Sequence, residues 1–261
     1  MNRATKLILI AALVAVVATT SGCFHRVRID DVTKTRTITK RIAAGEATAT
    51  ATHIAFGAGE LKVSGSDIAN DAVAGDFTFA PNTLEPELTS EVTSEGALYA
   101  RIDQPDVLNV PPASIGGPVN MTQRWDVKLS NALATDLWLN MGAGDANIDL
   151  SGVDLTALHV GLGAGSTKLD LSGPRTRALS ATIQAGVGEI VVRLPKGLPV
   201  RVTGSQDGLG DYKYGDGFHR SGGDIVNDAW DEAQHGTTDY KGQIELNVQQ
   251  GIGEVRLELV D

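Results

Sequence analysis

Few residues in this chain have the types to do chemistry, and spacing disqualifies most of them. Asp145-x-Asn147-x-Asp149 sets three oxygen-bearing side chains at alternating positions, as calcium loops do. Such a loop wants glycine where Leu150 stands, and a calcium-binding β-roll would repeat the aspartates, whereas the next copy offers Ser166, Lys168 and Asp170. These polar residues read instead as the outward face of a strand. The five histidines, His25, His53, His159, His219 and His235, show no pairing at metal-ligand spacing, so neither a metal nor another cofactor is expected. The Gly-x-Gly pairs lack the third glycine and the helix of a dinucleotide site. No Gly-x-Ser-x-Gly elbow occurs, and nothing marks a Ser-His-Asp triad.

The richest remaining segment is 211–243, which holds five of the twelve aromatics beside a run of acidic residues that includes Asp211, Asp216, Asp224, Asp228, Asp231 and Glu232. It reads first as a cap in which Trp230 and the tyrosines close an apolar end. A second reading is a sugar-binding surface formed by Tyr212, Tyr214, Phe218, Trp230, Asp231 and Tyr240, by stacking and hydrogen bonding. Paired carboxylates there would also suit polysaccharide cleavage. The cap reading makes the chain non-enzymatic, and that is the expectation.

Cys23 is the one cysteine, and its position is informative. Arg3 and Lys6 precede an apolar run from Leu7 to Val17, which is followed by small residues, the layout of an export signal. The run is about 11 residues, against roughly 20 for a membrane-spanning helix. Thr20-Ser21-Gly22-Cys23 resembles a bacterial lipobox. That resemblance implies cleavage after Gly22, removal of residues 1–22, and acylation of the Cys23 thiol, palmitate included. Two or three acyl chains hold a protein stably on a membrane where one does not. In a host with two membranes, Phe24 in place of aspartate suits transport to the outer membrane.

Exported without a disulfide, the chain must rely on burial and backbone pairing. Thirty glycines, few aromatics and many β-branched residues favour short strands joined by tight turns. Charge is uneven: residues 24–41 hold six basic and two acidic residues, and residues 42–261 hold 14 basic and 30 acidic. The basic stretch 23–41 suits a tether against anionic headgroups or the polar side of a first strand. The acidic body, without a basic patch interleaved with aromatics, excludes nucleic acid as a partner.

The chain also repeats itself. Phe56-Gly57-Ala58-Gly59-Glu60 returns as Met141-Gly142-Ala143-Gly144-Asp145 and as Leu162-Gly163-Ala164-Gly165-Ser166, with weaker copies at Gly186, Gly208 and Gly251. Coils of about 21 to 23 residues fit a β-solenoid. In each, the glycine pair bends the chain, then alternate residues such as Ile148 and Leu150 point inward while Asn147 and Asp149 point outward. The expected fold is therefore all-β, a single-stranded solenoid, with a β-sandwich of regular hairpins as the alternative. The spacing predicts an N-terminal β region at 42–104, a Pro/Gly loop at 105–118 and the glycine-pair solenoid at 119–261, with the Gly208 coil stacked directly after the Gly186 coil.

The glycine-pair repeats, Asn140-Met141-Gly142-Ala143-Gly144 and Ile225-Val226-Asn227-Asp228-Ala229-Trp230 before Ile244 to Leu259 resemble the bacterial toastrack family. That family is found in cell-envelope proteins, among them relatives of cell-wall-active antibiotic response proteins and adhesin heads. The resemblance implies a non-catalytic envelope domain, with an envelope protein or polysaccharide as partner and no catalytic residues to carry over. The chain lacks the several membrane helices of many stress-response relatives, which argues against direct signalling.

Overall fold

The computed structural model describes residues 34–105, 121–204, 209–236 and 238–261. Cys23, the export segment, most of the Pro/Gly loop and Gly208 lie outside them. The described strands are β1 (Arg36–Ala43), β2 (Ala49–Ser66), β3 (Asp71–Ala80), β4 (Glu87–Val92), β5 (Leu98–Asp103), β6 (Thr122–Ser130), β7 (Ala134–Asp149), β8 (Leu155–Asp170), β9 (Leu179–Pro195), β10 (Val200–Gly204), β11 (Leu209–Tyr214), β12 (Phe218–Ser221), β13 (Asp224–Asn227) and β14 (Ile244–Val260). One short helix, α1 (Asp228–Gln234), is capped by Asn227. The chain is all-β, an open sheet and not a barrel.

Five long strands, β2, β7, β8, β9 and β14, lie parallel and in register. Each is bent by its glycine pair. In β7 the buried positions are Thr135, Leu137, Leu139 and Met141 before the pair and Ala146 and Ile148 after it, with buried Leu150 directly following the strand, so the alternation changes phase across Gly142–Gly144. That phase change keeps the core side chains inside as the strand turns from a first wall into a second. Gly59, Gly144, Gly165, Gly188 and Gly253 carry φ between +120° and +146°, a region that side chains disfavour. Space forbids a side chain there as well: a Cβ on Gly144 would stand 2.0 Å from the Gly59 carbonyl oxygen, and one on Gly165 would stand 1.8 Å from that of Gly144.

At the ends the two walls part company, which shows that each long strand serves two sheet surfaces. The first half of β2 pairs with β5 and its second half with β6. Likewise β14 pairs with β10 through its first half and with β11 through its second. β4 and β5 thus extend the first wall at the N-terminal end, and β6, β3 and β1 extend the second. Arg36–Arg41 of the basic stretch belong to β1, where Lys40 and Arg41 each pair 2.8 Å from Glu85 and Asp71. The core at this end is filled by Trp125, fully buried, with Phe56 and Phe77 edge-on to it at 4.9 and 5.3 Å.

The repeats pair in parallel and not as hairpins, so the sandwich alternative is not adopted. One expectation about order is corrected. The strand after Gly208, β11, does not stack on the Gly186 coil; β14 lies between β9 and β11. A repeat fixes the period of a stack, but the segment 196–243 is long enough to pass beyond one layer and let a later strand occupy it.

Candidate functional site on the outer faces

The sequence-nominated aromatics fall into two groups at the C-terminal end. On β11, Tyr212 and Tyr214 pack against the core, and Phe218 of β12 meets Tyr214 edge-on at 6.4 Å. The Tyr212 hydroxyl donates to the Val248 carbonyl at 2.8 Å, and burial pushes its pKa up. These three do close the end of the stack. Trp230 does not: it is half-buried on α1, outside the core, with the Arg201 guanidinium 5.8 Å above its ring. The neighbouring Asp231 carboxylate lies 2.7 Å from His219 Nε2. Tyr240 donates to Glu232 at 2.6 Å, and this bond holds its phenol above the ordinary range. What fastens α1 is Asn227, 1% exposed. Its Oδ1 accepts from the Val200 and Trp230 amides, and its Nδ2 donates to the Leu198 carbonyl.

The outer face of the first wall carries a ring stack that sequence reasoning missed. Tyr99, His53, Trp138 and His159 follow one another across β5, β2, β7 and β8, with centroids 4.9, 5.6 and 3.8 Å apart. Trp138 is 38% exposed, yet an imidazole covers each face of the indole, so it offers a ligand only an edge. Burial draws the His53 pKa below its ordinary value, against the pull of Asp136. The signal was available: each of His53, Trp138 and His159 stands four residues before the first glycine of its pair.

The second wall carries the polar surface. Directly after the second glycine, β2, β7, β8, β9, β14 and β11 present Glu60, Asp145, Ser166, Glu189, Glu254 and Asp211 side by side. Two residues further along, the same strands present Lys62, Asn147, Lys168, Val191, Arg256 and Lys213. An acidic stripe and a basic stripe therefore run next to each other along the stack. Pairs cross between them: Lys213 and Arg256 both bind Glu254, and the Lys213 bond in particular lowers the Glu254 pKa. At the N-terminal end the stripes border a groove of about 540 Å³ lined by β6, β2, β7 and β8. There Arg124 forks onto Glu60 at 2.6 and 3.0 Å, which holds that carboxyl below its ordinary range. Lys62 lies 3.2 Å from Asp126, whose other oxygen is enclosed with no partner. Among the described residues, Asp145 and Lys168 enter no ion pair, and no group of three or more His, Cys, Asp or Glu is placed to hold a metal.

A known protein shares this architecture. The crystal structure of a candidate cell adhesion protein from Clostridium sporogenes ATCC 15579 superposes with a TM-score of 0.76 at 27% identity, over 87% of this chain and all of that one. A candidate adhesin from Bacteroides fragilis NCTC 9343 aligns over 87% of this chain and 98% of its own at 10% identity, with a TM-score of 0.31. No curated protein matches. Residues 30–193 match the family described as the N-terminal domain of toast_rack, DUF2154, and the parallel glycine-cornered stack extends through them, so the chain belongs to the toast-rack N-terminal domain family.

Proposed function

We propose that this protein is a lipid-anchored, non-enzymatic surface or binding module of the bacterial cell envelope, held to the membrane through acylated Cys23. The observation that carries the reading is the likeness to the candidate cell adhesion protein, which extends over that protein's whole length. The same likeness favours, as a second form of this reading, the head of a surface adhesin. The outer faces support a binding role over a catalytic one. A glycan-cleaving acid needs a carboxyl held protonated. In the groove, Arg124 holds Glu60 ionised instead. The ligand surface is the second wall together with the C-terminal end around Tyr212, Tyr214, Phe218, Trp230, Asp231 and Tyr240. An envelope protein or polysaccharide is the class of partner.

Labelled palmitate fed to cells expressing the full chain tests the anchor. Label should enter the wild type and be absent from Cys23→Ser, which should leave the membrane fraction. Continued labelling of that variant would refute the lipoprotein reading. Release of reducing ends from envelope polysaccharide by the purified protein would refute the non-enzymatic one.

A further inference from the structure

The second wall is self-complementary. Its acidic and basic stripes are parallel, adjacent and separated by two residues along every strand, a spacing of ~6.8 Å. A two-fold axis running along the stack, midway between the stripes, maps each stripe onto the other. Every coil keeps its own height under that rotation. We propose that this face docks on the same face of a second copy, so that the acidic stripe of each molecule covers the basic stripe of the other. This assignment rests on reading the second wall as an interaction surface, and it names the partner.

Three observations favour a second copy over another occupant. Symmetric pairing sets Glu60, Glu254 and Asp211 against Lys62, Arg256 and Lys213 of the other molecule, coil for coil, without requiring any foreign charge pattern. Asp145 and Lys168, which enter no ion pair among the described residues, come to lie on opposite sides of the contact, offset along the stack by one strand spacing, ~4.8 Å. And among the described residues the outer face of this wall exposes no ring for a sugar to stack on, since Trp125, the aromatic beneath the groove, is fully buried. Six strands and the two stripes give a face of roughly 400 Å² per copy, the size of a weak, transient association. The contact is therefore reversible and weakened by salt.

Two differently tagged copies of the full chain, expressed together and solubilised from membranes in mild detergent, test this by co-purification. One variant carries Asp145→Lys, Glu189→Lys and Glu254→Lys. The other carries Lys62→Glu, Lys168→Glu and Arg256→Glu. Wild-type copies should co-purify at low salt and separate at about 0.5 M salt. Either variant paired with itself should lose co-purification about tenfold or more, and the two variants mixed should recover it. Recovery also shows that both variants fold. Wild-type copies that fail to co-purify, variants that self-associate as well as wild type, or a mixed pair that does not recover would each overturn the proposal. Palmitate labelling unchanged in such a result would leave the anchor reading intact.

Discussion

The two walls of the stack share one interior and diverge on the outside. On the first wall the outward column His53, Trp138, His159 stacks ring on ring, and the rings use their faces on one another. On the second wall the outward columns are long charged side chains whose ion pairs are exposed and exchangeable. Inward positions on both walls are mostly Leu, Ile and Val, with Phe56, Phe77 and Trp125 filling the N-terminal end, because close packing punishes any change of volume there. The difference teaches that each coil is bound by its inside and at liberty on its outside. One wall uses that liberty for ring contacts within the chain, and the other keeps its charges at the surface.

The largest effect should come from the line where the walls meet. Gly165→Val combines a φ of +140° with a carbonyl oxygen 1.8 Å from the new Cβ, so it should cost more than about 4 kcal/mol or abolish folding. A urea midpoint within error of wild type would remove the corner as the source of the two-wall shape. Next, Asn227→Ala strips one buried residue of three hydrogen bonds and strands the Val200 amide and the Leu198 carbonyl, a loss of about 2–4 kcal/mol. Trp138→Ala should cost about 1–2 kcal/mol through its lost ring contacts. Lys168→Ala on the second wall should stay within about 0.5 kcal/mol. Equal melting shifts for these last two would erase the contrast between the walls.

Acid should sharpen the contrast further. His53 in the folded protein binds its proton less readily than in the unfolded chain, so its contribution is present above pH 6.5 and is lost as pH falls from there through its lowered folded value. Glu60 and Glu254 are shifted below 4.5, so the stability they add is present above that value and fails only at lower pH. Melts should therefore fall in two stages, and His53→Gln should remove the upper one. A His53→Gln profile that matches wild type between pH 7.5 and 5 would show that the ring stack does not feel its charge.

How much of this was legible followed from what repeats. The glycine pairs and the alternation after them gave the bent coil, the inward Ile148 and Leu150 and the outward Asn147, because each is a local consequence of backbone sterics. The stripes and the ring stack are also columns at fixed distances from those glycines. They became visible only once the columns were set side by side, since His53 and Trp138 are far apart in the chain and adjacent in the sheet. The place of β14 was not legible. Register energetics are nearly the same for any coil edge, and only the span and contents of 196–243 decide which edge a later strand finds. Trp230 was misjudged because size suggested burial, whereas an amphipathic indole beside Arg201 is content half outside.

The insertion of β14 between β9 and β11 has a temporal consequence. β10 and β11 are made before β14, yet each finds its parallel neighbour only in β14, and the long edge of β9 finds its own there too. Until residues 244–260 are available, the growing polypeptide carries an open edge on β9, a β10 paired only with β13, and a β11 with no strand to dock on. Such edges recruit other chains. β14 thus acts as a latch: completion of the stack waits for residues 244–260.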